Sequence, residues 1–105
     1  MKKVKALFYL PLRDSDGRPL IAEIDDLEAE LYVHFVGWTF LGYVKGVYRM
    51  TDGTLARDES AAYSVALDEN RVDELEKLLR KFKGQTLQEA IYLEIQREVD
   101  IRFIS

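Results

Sequence analysis

Residues 39–67 read TFLGYVKGVYRMTDGTLARDESAAYSVAL, and this stretch decides the fold. Thr39 to Met50 is rich in β-branched and aromatic residues, the composition of a long strand. Strict alternation puts Phe40, Val44, Tyr48 and Met50 on one face and Leu41, Tyr43, Val47 and Arg49 on the other. Gly42 and Gly46 fall on the first face, where they permit a bulge or a close-packed helix. Thr51-Asp52-Gly53-Thr54 predicts a hairpin, because Asp-Gly suits the positive φ angles of a type I′ turn. The return strand runs from about Ser60 to Leu67, with Tyr63, Val65 and Leu67 alternating.

Upstream, Ala6 to Leu10 is a short apolar run that predicts a buried strand closed by Pro11. A polar turn follows at Arg13 to Pro19. Leu20, Ile24, Leu27, Leu31 and Phe35 recur at spacings of four, three, four and four, so helix one spans about 20–35 and Gly37 stops it. Downstream, Asn70 caps a second helix whose apolar face is Val72, Leu75, Leu78, Leu79 and Phe82, with Gly84 as its stop. Arg80, Lys81 and Lys83 sit in its last turn, where cations suit the helix dipole. Beyond it, Ile91, Leu93 and Ile95 alternate as a strand, and Ile101 to Ile104 predicts a further one after a break near 96–98. The order is β-α-β-β-α-β with an additional C-terminal strand. The expected class is α+β: a ferredoxin-like plan with two helices on one face of an antiparallel sheet, in a single domain over 1–105.

The arithmetic agrees and removes many functions. The 105 residues allow one core. A 48% hydrophobic and 32% charged composition is that of a globular chain, not a disordered one. Cysteine is absent, which excludes disulfides, thiolate metal sites and cysteine nucleophiles. His34 is the one histidine, so no several-imidazole metal site forms within one chain. The net charge of −4, with scattered basic residues, disfavours nucleic acid. No apolar run reaches the ~20 residues of a membrane span, and no signal-peptide core is present. The reading is a cytoplasmic protein with no cofactor, no metal, no nucleic-acid partner and no membrane association.

Three constellations carry candidate chemistry. His34, Trp38 and Tyr43 fall near the junction of helix one and the next strand. They suit a small pocket with an imidazole for proton transfer and rings for a flat ligand. They suit equally an aromatic packing cluster with His34 capping helix carbonyls. Tyr48, Arg49 and Tyr63 face one another if the hairpin pairs them, as an anion site with Arg49 as clamp or as plain cross-strand packing. Asp14-Ser15-Asp16-Gly17 begins like a calcium loop but lacks its remaining acidic positions, so it reads as a turn. Asp25, Asp26, Glu28 and Glu30 offer carboxylates to a divalent ion, but the pattern reads as a solvated helix face.

The element order resembles the dimeric α+β barrel superfamily, which pairs two ferredoxin-like sheets face to face around a pocket in each protomer. The resemblance implies a homodimer and a small-molecule pocket, and it transfers no catalytic residue. The chain also resembles small bacterial proteins of unknown function, through Gly37-Trp38-Thr39, Asp58-Glu59-Ser60 and Gln88-Glu89-Ala90-Ile91. The functional expectation is a homodimeric interaction or ligand-binding module, with Trp38, Tyr43, Tyr48, Arg49 and Tyr63 as ligand-binding residues. The alternative is a cofactor-free enzyme, monooxygenase- or isomerase-like, with His34 as proton carrier. That alternative requires a cavity reaching His34.

Overall fold

The computed structural model describes residues 2–105. The elements in chain order are β1 (Lys3–Pro11), α1 (Ile21–Phe35), β2 (Thr39–Arg49), β3 (Leu55–Asp68), a 3-10 turn (Glu69–Arg71), α2 (Val72–Gln85) and β4 (Leu93–Gln96). The sheet order is β2-β3-β1-β4 and every pairing is antiparallel. This is the βαββαβ plan of an α+β fold, with β3 inserted between β1 and β2.

Period two in β1 divides it cleanly. Val4, Ala6, Phe8 and Leu10 are buried, while Lys5, Leu7 and Tyr9 lie on the opposite face. The register sets Val4 opposite Leu67, Ala6 opposite Val65 and Phe8 opposite Tyr63, so both central strands present one apolar face. Ile24, Leu27, Leu31 and Phe35 of α1, and Val72, Leu75, Leu79 and Phe82 of α2, cover it. Each such side chain contributes about 1.5–3 kcal/mol on burial. Lys81 pairs with Glu30 at 2.7 Å and the Arg71 guanidinium sits 4.7 Å over the Phe35 ring. Exposed pairs of this kind contribute about 0–1 kcal/mol, so they align two helices already held by their apolar faces.

The return strand is longer than its alternation alone predicts, beginning at Leu55 rather than Ser60. β1 ends at Pro11 opposite Ser60, so in the ladder Lys45 to Arg49 and Leu55 to Glu59 pair only with each other. They form a two-stranded ribbon standing out from the sheet, and the molecule is 46 Å along its longest axis.

Several expectations are corrected. A register shift between Phe40 and Gly42 brings Phe40 onto the Tyr43 face, because a bulge adds one residue and reverses the alternation. The ring centroids of Phe40 and Tyr43 are 5.2 Å apart. The hairpin is no type I′ turn: Gly53 alone in the loop has positive φ (88°), and its N–H bonds the Met50 carbonyl at 2.9 Å. Asp52 Oδ1 accepts from the Thr54 N–H and Oγ1, a local Asx arrangement that competes with the two-residue turn. Asn70 lies inside the 3-10 turn and makes no side-chain cap. Helix one ends at Val36, at φ 73°, rather than at Gly37. Helix two runs through Gly84 to Gln85, and Thr86 closes it with Oγ1 donating to the Phe82 carbonyl at 2.7 Å.

The additional C-terminal strand does not form. Residues 97–105 carry no strand, and Phe103 and Ile104 are exposed. Alternation supplies a strand with a face but not with a partner, and β4 is a four-residue edge with little ladder to extend.

Candidate acidic and aromatic groove

On α1, Asp25, Glu28, Ala29 and Tyr32 lie at helical spacing beside the buried stripe, and with Val36, Gly37 and Trp38 they line an open groove of about 540 Å³. Trp38 closes one side. Its indole N–H donates to the Glu28 carbonyl at 3.0 Å, pinning the ring against the helix. The Tyr63 hydroxyl donates to Glu28 Oε2 at 2.5 Å, from a strand 35 residues later in the chain. Burial, and then the Glu28 carboxylate that accepts its proton, hold the Tyr63 hydroxyl well above the usual phenol range.

Behind this pair runs a chain of rings. Tyr63 stacks on Phe8 in the core at 5.8 Å, meets Trp38 edge-on at 5.5 Å and Phe40 at 5.7 Å, and Phe40 meets Tyr43. The rings carry order from the core to the rim, where Tyr43 is 71% exposed. The groove lining holds two carboxylates and no cation. Carboxylates and electron-rich ring faces together attract positive charge and flat surfaces, and they repel phosphates and carboxylates.

The expected site residues divide. Trp38 and Tyr63 come together at Glu28, and Tyr43 joins them through Phe40. Tyr48, Arg49 and Tyr63 do not meet: Tyr48 pairs with Ala56 and Arg49 with Leu55 on the ribbon, whereas Tyr63 pairs with Phe40 and Phe8. No anion clamp forms there. His34 is exposed and lines neither this groove nor the one beside α2. It follows Tyr32 by two residues, about 200° around the helix, so it points away from the groove. Asp14 spends its carboxylate on the N–H groups of Asp16 and Arg18 and on the Arg18 side chain, closing the turn. Glu28, which the sequence assigns to a solvated helix face, is the residue that organises the groove. Its signal is the stripe Asp25, Glu28, Tyr32 at spacings of three and four, with an aromatic residue soon after the helix ends.

No family model matches the chain, and no curated protein matches it. Among solved structures it is similar to a phage SAM lyase in complex with S-methyl-5'-thioadenosine, at TM-score 0.72 and 18% identity, covering 90% of this chain and 81% of that one. It is also similar to CutA from Synechococcus elongatus, at TM-score 0.61 and 12% identity, covering 94% of this chain and 80% of that one. These likenesses show a small α+β sheet-and-two-helix fold. Among the described residues no helix is long and apolar enough to cross a membrane.

Proposed function

We propose that this protein is a self-associating ligand-binding module that takes a flat, positively charged small molecule in the groove between α1 and β2. The observation that carries the reading is Glu28, held between the Tyr63 hydroxyl and the Trp38 ring beside Asp25 and Tyr32. Glu28 and Asp25 supply the counter-charge, Tyr32 and Trp38 the flat surfaces, and Tyr63 fixes the Glu28 carboxylate. The likeness to a SAM lyase holding S-methyl-5'-thioadenosine makes a sulfonium nucleoside the first ligand to try.

Calorimetric titration with S-adenosylmethionine and with its uncharged thioether, S-methyl-5'-thioadenosine, tests this. Tighter binding of the sulfonium, weakened about tenfold or more by Glu28→Gln and by Trp38→Ala, supports the reading. Equal affinity for both, or none for either, overturns it.

The same likeness favours a second reading, an enzyme acting on such a sulfonium. Release of S-methyl-5'-thioadenosine on incubation with S-adenosylmethionine is its test. His34 has no part in this reading: it is exposed and lines neither groove described above.

Self-association rests on the uncovered sheet face, since both helices pack on the other. It presents Leu7, and Tyr9 stacks on Tyr92 there at 4.7 Å. A homodimer through this face predicts a solution mass of twice 12.2 kDa that falls in Tyr9→Glu.

A further inference from the structure

We infer that the segment 98–104 of one chain adds as an antiparallel strand to the free edge of β2 in a second copy, with Asp100 opposite Lys45. The inference deepens the self-association reading but uses a different surface. The acceptor is one of the two outer edges of the sheet: among the described residues β2 pairs with β3 on one side and with nothing on the other. It is long, it holds no proline, and past Tyr43 it extends beyond the body of the sheet. An edge of this kind offers a row of unpaired backbone groups. The donor is a segment with strand alternation and no strand. Val99, Ile101 and Phe103 share one face and Glu98, Asp100 and Arg102 the other. None pairs as a strand within its own chain among the described residues, and the one ion pair in the segment is Arg102 on Asp100, two residues apart at 2.8 Å and exposed at the surface.

Charge chooses the register. β2 carries Lys45 and Arg49 on one face and no acidic residue, and neither cation makes an ion pair among the described residues. With Asp100 opposite Lys45, Glu98 falls between Lys45 and Arg49, and Arg102 falls beside the Tyr43 ring. Opposite charges facing across strands stabilise the pairing and like charges oppose it. On the other face, Phe103 then meets Gly42, Ile101 meets Val44, and Val99 meets Gly46 with the Tyr48 ring lying over it. The largest side chain of the donor faces a glycine of the acceptor.

The donor must come from another molecule. β4 leaves the sheet at Gln96, opposite Lys5, which pairs with Ala66, whereas Lys45 pairs with Glu59. From Ala66 to Glu59 is about 23 Å along the strand, and β4 to β2 is about 14 Å across it. Gln96 to Asp100 reaches about 14 Å when fully extended, roughly half the separation. Donor and acceptor are different surfaces, so the contact is heterologous and builds rings, reciprocal pairs or chains of copies.

The absence of cysteine gives a clean test. Full chains carrying Lys45→Cys and Asp100→Cys are mixed and oxidised. Directly paired positions have Cα atoms about 4.5–5.5 Å apart, within the range a disulfide spans. The expected result is a product of two chains, at least about tenfold above that from Lys45→Cys mixed with Asp16→Cys. A yield no higher than this control overturns the inference. Light scattering on the parent and on Ile101→Pro supplies the second reading, since proline removes a ladder N–H from a segment that has no structure of its own to lose. The proline chain is expected to lose mass relative to the parent. An unchanged mass overturns the edge pairing, and if Tyr9→Glu then lowers that mass, association through the open face stands alone. Ligand titration of the groove is independent of both.

Discussion

Val36 holds φ 73° and is 90% exposed, at the point where α1 turns into the groove. A β-branched side chain in the left-handed region stores about 1–3 kcal/mol, and glycine there gives back part of the gain through backbone entropy. Val36→Gly is expected to raise stability by about 1 kcal/mol in chemical denaturation. Tyr63 is the opposite case. Tyr63→Phe removes the donor to Glu28 and is expected to cost about 1–2 kcal/mol at neutral pH. The same variant should also soften alkaline unfolding. Folding holds the Tyr63 proton more tightly than the open chain does, so its contribution is complete below about pH 10 and is lost as pH rises toward the folded value. Thermal melts from pH 8 to 11 on parent and variant compare the two slopes.

At the scale of elements, the outer β2–β3 ribbon lacks the helix cover and second neighbour that the central strands have. An isolated two-stranded hairpin is at best marginal in water, and here Val47 and Leu55 are exposed on it. Its turn therefore matters more than a turn between buried strands. Gly53→Ala places a Cβ at φ 88° and is expected to cost about 1 kcal/mol. Hydrogen exchange should show the loss confined to ribbon amides, because the central strands keep their helices and both neighbours. Leu75, fully buried in α2, gives the contrast: Leu75→Ala is expected to cost about 2–5 kcal/mol and to loosen every strand together. The helices were legible from periodicity because an apolar stripe is a local property. The bulge at Phe40/Gly42 was not, since two glycines permit several bulge positions and only the pairing with Ala62 and Tyr63 selects one.

For the molecule as a whole, four carboxyls lie below their ordinary range for local reasons. The Arg18 N–H holds Asp14, the Thr54 hydroxyl holds Asp52, Lys3 holds Asp68 and the Tyr92 hydroxyl holds Glu94. Each binds its proton less readily folded than unfolded. Their stabilisation is thus complete above the ordinary carboxylate range near pH 4 and is lost as pH falls through the folded values. The melting temperature is expected to be flat from about pH 5 to 9 and to drop below about pH 4. These groups are exposed, so 1 M salt should shrink the drop. A drop that begins above pH 6 would contradict this.

The sequence by itself determined the element order, the two helices, the buried face of β1 and the hairpin connection. These follow from period, turn chemistry and apolar spacing, all of which act over a few neighbouring residues. The tertiary structure decided what meets what. Tyr63 reaches Glu28 across 35 residues because the β1–β3 register places it beneath α1, and no local pattern in either segment encodes that distance. His34 turned away because the helix sets it about 200° from Tyr32, and the Tyr48, Arg49 and Tyr63 trio separated because the hairpin register pairs Tyr63 with Phe40, eight residues before Tyr48. The tail at 101–104 has the alternation of a strand, yet a strand exists only where another backbone completes its hydrogen bonds, and the edge of its own sheet that lies within reach is the four-residue β4.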